Sequence, residues 1–492
     1  MLQSCMPRGG NYPRKIKHSI KANTLAYLLV SVFGIVYMIF LYFSYRKFMF
    51  PVLDLGLFNR HMWSLVHFDF GPNPLKGWNL LGDHAHFFLV LLAPLYWLYQ
   101  SPVFLLFIQA LAIVLSAWPI YLVAKHYLKN KTVAALWLVP YFTYFGFWSA
   151  LAYPFHDSPV AVLPIAWALY FLLVTKNDKH LLMILAALLL VREDMPLVAI
   201  MIGLYLIIID RKYKLGSLVV VVASLYFWWV TRYWLPFASR GVSYPYEDTV
   251  FGASMLDAIK AAFLQPKEFV KNIFLPIDKT KSIVFMLGSF GGLAIIGIEI
   301  LLLLSPMWLG RFLSTQPWRW SVVQHYSASQ APILIVASIL GLSRLSKFIA
   351  QSVKIKINKV IIVYIGLLLA LMGTGLVYSR LREHYAGRLL RPTFYGLDQY
   401  EKSAHEAIQL VPEGASVGVQ SAFPQLTSRE KVYNAPLDVS KLKPDYIILS
   451  DKFDQWPFTG DQIYRFRDSA ISDYGYRYKY NKNNVWLLEK SE

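Results

Sequence analysis

The stretch TLAYLLVSVFGIVYMIFLYFS, residues 24–44, decides the fold class, because it is long, apolar and free of charged side chains. About 20 apolar residues in an α-helix are enough to cross the hydrocarbon core of a bilayer, which is about 30 Å thick. Similar stretches recur over roughly the first 380 residues. The sequence therefore predicts a mainly α-helical protein that crosses a membrane several times.

The composition of the whole chain agrees with this class. Of the 492 residues, 56% are hydrophobic and 16% are charged, whereas soluble globular proteins carry about 25% charged residues. The single cysteine, Cys5, excludes an intrachain disulfide and a cysteine-based metal site. An ordinary soluble enzyme is therefore excluded.

The net charge of +19 is explained by membrane orientation, and no nucleic-acid partner is expected. Lys and Arg cluster in residues 1–21, 125–131 and 344–359, and such clusters mark the cytoplasmic side of a membrane. They predict a cytoplasmic basic tail over residues 1–23, followed by an uncleaved signal-anchor. The predicted location is the plasma (cytoplasmic) membrane, with the N-terminus in the cytoplasm.

Threading the apolar stretches across a bilayer gives about 11 transmembrane helices within a domain over residues 24–379. Residues 45–101 form a long first outer loop, in which the apolar segment 85–99 is expected to lie along the interface. Short helical hairpins are expected over 181–209 and 282–310. Each arm of the first is too short to span the bilayer, so its connecting triplet is expected in a water-accessible dent.

Residues 380–492 lack a long apolar run and are predicted to form a small, soluble, extracytoplasmic α/β domain. The short segments 415–420, 431–435 and 445–451 have the composition of β-strands. The end of the chain, YRYKYNKNNVWLLEK, is predicted to form a β-hairpin.

Four groups of polar residues fall on the outer side when the crossings are counted. The groups are Asp54, after the first span; Asp83, His84 and His86 in LLGDHAHF; His156 and Asp157 in YPFHDSP; and Arg192, Glu193 and Asp194 in the first short hairpin. Ionisable side chains near a bilayer are costly, and they are functional candidates for that reason. The concentration of so many carboxylates and histidines on one side predicts a functional site.

Each group also has a purely structural interpretation. Asp54 and Asp157 are suitable helix N-caps. His84 or His86 could satisfy backbone groups, and Arg192 could form an ion pair that only stabilises the hairpin. These interpretations remain open alongside the functional one.

Metal use is also open. The grouping of Asp83, His84 and His86 weakly suggests zinc, but no motif such as HExxH supplies further ligands. A divalent cation such as Mg²⁺ or Mn²⁺, held by Asp54 and Asp157, is an equally open alternative.

Six stretches, in order along the chain, resemble a family of predicted membrane proteins of unknown function found in archaea and bacteria. They are LDLGLFNRHMWSL, LLGDHAHFFLVLLAPLYWL, YPFHDSPVAVLPI, LLLVREDMPLVAIMIGLYL, QHYSASQAPIL and VPEGASVGVQSAFPQLTSREKVYNAP. The family is similar in layout to the GT-C membrane glycosyltransferases, which have a long first outer loop beginning with an acidic residue. On this resemblance Asp54 and Asp157 match the acidic residues of the first and second outer loops. Asp54 lacks the D-x-D spacing of many GT-C members, since Leu55 and Gly56 follow it.

The resemblance implies an inverting transfer of a sugar from a polyprenyl-phosphate donor to a glycan, lipid or protein acceptor on the extracytoplasmic face, with membrane lipids as the surrounding partners. The catalytic candidates are Asp54, Asp157, Glu193 and Asp194. The substrate-binding candidates are His84, His86, His156, Arg192, Arg240, Tyr244, Tyr246 and His325. The two tyrosines lie in a predicted outer loop, 237–281, that could cover the site.

Two other functions remain as alternatives. A lipid or solute transporter should show inverted repeats, and the sequence shows none. A non-catalytic scaffold of the cell envelope predicts dispersed charges that are paired individually, whereas an enzyme predicts that the four groups converge around one cavity.

Overall fold

Helices form most of the chain in a computed structural model, which describes residues 12–241, 248–252, 255–352, 359–381 and 384–491. In chain order the α-helices of the N-terminal part are α1 Tyr12–Arg46, α2 Leu57–Val66, α3 Phe88–Tyr96, α4 Pro102–Leu128, α5 Lys131–Leu136, α6 Leu138–Phe142, α7 Phe145–Ala152, α8 Val162–Tyr170, α9 Asp178–Leu189, α10 Met195–Ile208, α11 Tyr213–Trp229, α12 Leu235–Ala238, α13 Met255–Leu264, α14 Pro266–Phe274, α15 Ile277–Gly288, α16 Ile298–Leu301, α17 Ser305–Phe312, α18 Pro317–Trp320, α19 Ala331–Ser352 and α20 Lys359–Arg380. Short π-helical turns, Val52–Gly56, Phe171–Thr175 and Val230–Trp234, continue directly into or out of α2, α8 and α11.

Among the described residues, seven helical segments are long and apolar enough to cross a membrane. The number rises to eight if the bent pair Lys131–Phe142 and Phe145–Ala152 counts as one span. The predicted count of about 11 is therefore not confirmed. The difference lies in short helices such as α9 and α10, with 12 and 14 residues, which are shorter than the about 20 residues that a full crossing needs. The orientation of the spans stays a prediction.

The predicted short hairpin over 181–209 is present as the two short helices α9 and α10. The segment 282–310 differs from the prediction, because its second part belongs to Leu293–Phe312, a 20-residue segment long and apolar enough to cross a membrane. The turn after α9 carries Arg192, Glu193 and Asp194 and leads into α10. The turn after α15 contains Gly291 and Gly292, with φ angles of +68° and +71°. A Cβ atom on Gly291 would lie 2.9 Å from the main chain of Leu369 in α20, so glycine is required here for both conformation and space.

Helices α4 and α19 form the centre of the helical part, since about two thirds of each corresponding span is buried inside the protein. Gln109 of α4 is fully buried and connects this centre to the second outer loop. Its amide donates a hydrogen bond to the carbonyl of Ala150 (2.9 Å), and its carbonyl accepts one from the main-chain N–H of His156 (2.8 Å). This contact fixes the backbone at a predicted site residue.

The C-terminal part contains α21 Gln399–Gln409, α22 Val439–Leu442 and α23 Gln462–Ser472, with strands β1 Val417–Val419, β2 Val432–Asn434, β3 Tyr446–Ser450, β4 Tyr476–Lys482 and β5 Val485–Lys490. The strand order is β2-β1-β3-β5-β4. Strands β1, β2 and β3 are parallel, and β5 runs antiparallel to both β3 and β4. Asn483 and Asn484, at positive φ angles, form the turn between β4 and β5. The predicted small α/β domain and terminal hairpin are present.

This small domain packs on residues 45–101, the predicted first outer loop. The main-chain N–H of Val52 donates to the carbonyl of Ser421 (2.5 Å), which follows β1. The side-chain amide of Asn59 in α2 donates to the hydroxyls of Thr427 and Ser428, both at 2.8 Å. These bonds bracket the π-helical turn of the first outer loop, so the C-terminal domain helps to position it.

Candidate functional site

Asp54 lies in the π-helical turn Val52–Gly56, directly before α2. Its side chain is 23% exposed, and Oδ1 lies 3.6 Å from Nε2 of His156. The N-cap of this turn is Pro51 and that of α2 is Gly56, and neither helix has a side-chain capping bond. The interpretation of Asp54 as a helix cap is therefore wrong. π-Helical turns are rare and occur frequently at functional sites.

His156 lies between two carboxylates. Its Nε2 atom is 3.6 Å from Asp54, and its Nδ1 atom is 3.6 Å from Oδ1 of Asp157. Burial by itself lowers the pKa of His156, but the contacts with Asp157 and Asp54 outweigh burial and raise the pKa to about 9. The imidazole is therefore protonated at neutral pH. It also stacks on His325, with ring centroids 3.7 Å apart.

Asp157 is fully buried behind His156. It contacts Nδ1 of His86 at 3.4 Å and Nη1 of Arg192 at 3.6 Å. Burial favours the neutral acid, but the pKa of Asp157 lies well below its usual range because His156, His86 and Arg192 stabilise the carboxylate. Its side chain makes no capping bond to the 3₁₀ turn Ser158–Ala161, so the capping interpretation is wrong here also. Asp157 holds the cationic groups around it in place.

In the α9–α10 turn two of the three charges pair with each other and the third pairs with another loop. Arg192 forms a two-pronged ion pair with Asp194, including a bond of 2.7 Å from Nε to Oδ1. Glu193 instead hydrogen-bonds to Nδ1 of His84 (2.8 Å) and accepts from the main-chain N–H of Ala85 (3.0 Å). Burial raises the pKa of Glu193, but His84 and Arg192 outweigh burial and lower it to about 2. Burial likewise lowers the pKa of His84, and Glu193 reverses this so that the pKa is raised overall.

These groups meet at one cavity of about 560 Å³. The predicted site residues that line it are Asp54, His84, His156, Arg192, Glu193, Asp194 and His325. Apolar lining comes mainly from Leu197, Phe227, Trp228, Leu256, Ile259 and Met307, and further polar lining from Tyr153, Arg232, Trp318, Arg319, Gln324 and Tyr326. The cavity therefore combines a charged wall with a broad apolar one.

Three predicted residues, His86, Asp157 and Arg240, do not line the cavity within the part of the chain that the structure describes. His86 and Asp157 are fully buried behind it. Arg240 is exposed, because α12 and Ser239 pack against Gly82 and the chain reaches the surface directly after this contact. Tyr244 and Tyr246 lie outside the described residues. The structure therefore does not bring Arg240, a predicted substrate-binding residue, to the cavity.

The described residues of the site are not arranged as the ligands of a metal ion. Among the described residues, no group of three or more His, Cys, Asp or Glu side chains could hold a metal ion. Asp83 pairs with Lys76 at 2.7 Å. The cationic ring of His156 occupies the space between Asp54 and Asp157, where a shared divalent cation would have to bind. The residues present do not fit Mg²⁺, Mn²⁺ or zinc.

Comparison with known proteins identifies both sequence and structural relatives. The family model described as "Predicted membrane protein (DUF2079)" matches residues 45–487. No match is found among curated proteins. The crystal structure of ArnT from Cupriavidus metallidurans bound to undecaprenyl phosphate superposes with a TM-score of 0.51 at 11% sequence identity, covering 94% of this chain and 97% of that chain. The predicted GT-C-like fold is confirmed.

Proposed function

We propose that this chain, which belongs to the DUF2079 family of predicted membrane proteins, is a glycosyltransferase that moves a sugar from a polyprenyl-phosphate donor to an acceptor. The observation that carries this proposal is the cavity of about 560 Å³, in which charged and apolar walls meet. The similar fold of ArnT, which is bound to undecaprenyl phosphate in its crystal structure, supports the same class of lipid donor.

The two walls suit the two parts of such a donor. Arg192, Arg232 and Arg319 supply guanidinium groups, which bind phosphate oxygens through charge-assisted hydrogen bonds. Phe227 and Trp228 of α11 lie on the apolar wall, which suits an isoprenoid chain. The phosphate would bind near the arginines, and the sugar would then lie near Asp54.

Asp54 is the proposed general base. Its carboxylate removes the proton of the acceptor hydroxyl while that oxygen attacks the anomeric carbon of the donor sugar. The bond between this carbon and the phosphate oxygen breaks, and its electron pair leaves with the lipid phosphate. The arginines stabilise the charge that develops on the phosphate. A single displacement inverts the anomeric centre.

His156 and Asp157 support this base indirectly. The His156 imidazolium lies 3.6 Å from Asp54 and orients its carboxylate. Asp157 in turn contacts the opposite nitrogen of the same ring. His156 is thus proposed as a positioning residue for Asp54, and Asp157 as the buried anchor of His156.

The convergence of these groups favours an enzyme over a scaffold. A scaffold predicts charges that are dispersed and paired individually, whereas contacts of 3.6 Å connect Asp54, His156, Asp157 and Arg192 beside one cavity. We place the reaction, the acceptor and the C-terminal domain on the extracytoplasmic face of the plasma membrane. This placement rests on the basic loops.

The test compares a strain that lacks this protein with its parent. We expect the deletion strain to accumulate a polyprenyl-phosphate sugar or to lose one surface glycan, as measured by mass spectrometry of extracted lipids and glycans. Restoring the gene should reverse the change. Identical lipid-linked sugars and surface glycans in both strains would contradict the proposed transfer.

A further inference from the structure

A short segment beside the cavity, Arg319–Val323, is held through five consecutive main-chain carbonyls. Each accepts a hydrogen bond from a side chain of another element. Arg311 donates to the carbonyls of Arg319 (2.8 Å) and Ser321 (2.8 Å). Ser282 donates to the carbonyl of Trp320 (2.6 Å), and Ser149 donates to that of Val322 (2.8 Å). Tyr385 donates to the carbonyl of Val323 (3.4 Å). We call this segment the 319–323 strap. Cavity-lining residues lie within it and on both sides of it, so the strap fixes part of the cavity wall.

Arg311 is the one charged residue among these four donors. It is 3% exposed, and its other hydrogen bonds go to Ser327 Oγ (3.0 Å) and to the sulfur of Met286 (3.5 Å). All these acceptors are neutral, and among the described residues no carboxylate pairs with Arg311. Burying a charge without a counter-charge is costly, and more so near a bilayer. The preceding residue, Gly310, lines the cavity. Arg311 itself does not line the cavity, so its charge lies behind the cavity wall without a carboxylate partner among the described residues.

We propose that Arg311 is a specificity-determining residue whose buried positive charge makes the cavity select a lipid that carries a phosphate over the corresponding neutral lipid alcohol. This inference rests on the proposed function, since it requires that a lipid enters the cavity. Arg311 acts through its electrostatic field and need not touch the phosphate, because the interaction of charges falls slowly with distance where water is excluded. Its neutral contacts hold the strap, and its charge acts on the ligand.

The test measures the binding of two probes, undecaprenyl phosphate and undecaprenol, to the full-length protein in detergent micelles. The unmodified protein should prefer the phosphate. Arg311→Gln removes the charge but keeps a hydrogen-bond donor for the strap, so it should reduce this preference by about tenfold and leave undecaprenol binding unchanged. Arg311→Lys keeps the charge and should keep the preference.

The matched control is Ser282→Ala, which removes one strap hydrogen bond and no charge. It should leave the preference for the phosphate unchanged. Arg311→Met tests the same loss of charge if Arg311→Gln does not accumulate in the membrane.

The outcomes separate this inference from the proposed function. If the unmodified protein binds both probes equally, both the proposed function and the role of Arg311 are overturned. If it prefers the phosphate and Arg311→Gln keeps that preference, or weakens both probes alike, the role of Arg311 alone is overturned, and its function is only to hold the strap.

Discussion

The Asp54 turn and the α9–α10 turn line the same cavity, but their charges are held differently. Asp54 is 23% exposed and approaches His156 at 3.6 Å, longer than a hydrogen bond. Arg192 and Glu193 are 9% and 4% exposed in their side chains, and each makes hydrogen bonds of 3.0 Å or less. The looser contact leaves Asp54 free to accept a proton from a ligand, whereas the α9–α10 turn provides a fixed framework around it.

The strongest test of this difference is Asp54→Asn. The substitution keeps the size of the side chain and removes the base, so transfer should fall by about 10² or more. The midpoint of thermal unfolding should fall only modestly, because Asp157 still contacts His156. Transfer is measured as recovery of the missing glycan in the deletion strain.

Asp83→Asn is the matched control for that substitution. Asp83 lies in the same outer loop, its side chain is 18% exposed, and it pairs with Lys76 away from the cavity lining. We expect it to restore transfer fully. Equal recovery with Asp54→Asn and Asp83→Asn, at equal expression, would leave the proposed mechanism without a base.

The second prediction concerns the pH dependence of stability. It tests whether Asp54 contacts His156 as an ion pair. Because the folded protein raises the pKa of His156 from 6.5 to about 9, this group stabilises the fold fully below pH 6.5, and the stabilisation is lost as the pH rises towards 9. The loss should be of the order of 3 kcal/mol. Thermal unfolding followed by fluorescence between pH 6 and about 9.5 measures it.

His156→Gln should remove this part of the pH dependence. His67→Gln provides the comparison, because His67 is exposed directly after α2 and stacks on Trp63. We expect His67→Gln to keep the pH dependence of the unmodified protein. A protein equally stable at pH 6.5 and pH 9 would show that His156 is not held as an imidazolium between Asp54 and Asp157.

The sequence predicts the helical membrane class, the C-terminal strands and the gathering of charges, because each of these follows from local patterns or from counting crossings. It does not predict which charges pair. Glu193 binds His84, which lies 109 positions earlier, while its neighbour Arg192 binds Asp194. Which side chains pair depends on the packing of helices that are distant in sequence, and no spacing motif indicates these pairs.

The apolar wall and the strap were also missed. Phe227 and Trp228 resemble the many other aromatic residues of the membrane spans, and their sequence does not distinguish a side chain that faces a cavity from one that faces lipid. Arg311 could have been identified as a functional candidate from the sequence, because it is an arginine at the end of an apolar stretch. The π-helical turn around Asp54 is hydrogen-bonded to the C-terminal domain, which begins more than 300 residues later, and no local pattern predicts this contact.

The third prediction tests the framework role of the α9–α10 turn. Glu193→Gln removes the charge that pairs with His84 and should lower the free energy of unfolding by about 2 kcal/mol at neutral pH. Because the pKa of Glu193 is lowered from 4.5 to about 2, this stabilisation is present above pH 4.5 and disappears as the pH falls towards 2. Thermal unfolding at pH 7 measures the difference.

A double-mutant cycle with His84→Gln shows whether the loss belongs to this pair. We expect the double variant to be more stable than the sum of the two single losses predicts, because the second substitution removes a partner that is already lost. Additive losses would mean that Glu193 and His84 stabilise the turn independently.

The smallest predicted effect concerns the C-terminal domain as a support for the Asp54 turn. Thr427→Val removes the buried hydroxyl that accepts from Asn59 and donates to the carbonyl of Pro424. Asn59 keeps its bond to Ser428, so the free energy of unfolding should fall by only about 1 kcal/mol.

The Thr427→Val variant also distinguishes an effect on the position of Asp54 from an effect on lipid binding. Gly56, at the end of the Asp54 turn, packs against Thr427 so closely that an added Cβ would lie 3.0 Å from its methyl group. If the domain orients Asp54, Thr427→Val should lower the rate of transfer severalfold and leave undecaprenyl phosphate binding unchanged, because the arginines of the cavity are not affected. Ser440→Ala, at an exposed serine of the same domain, should change neither quantity. A Thr427→Val variant that loses stability but transfers sugar at the full rate would show that the domain only packs on the first outer loop, and that the membrane helices alone hold the Asp54 turn in its reactive position.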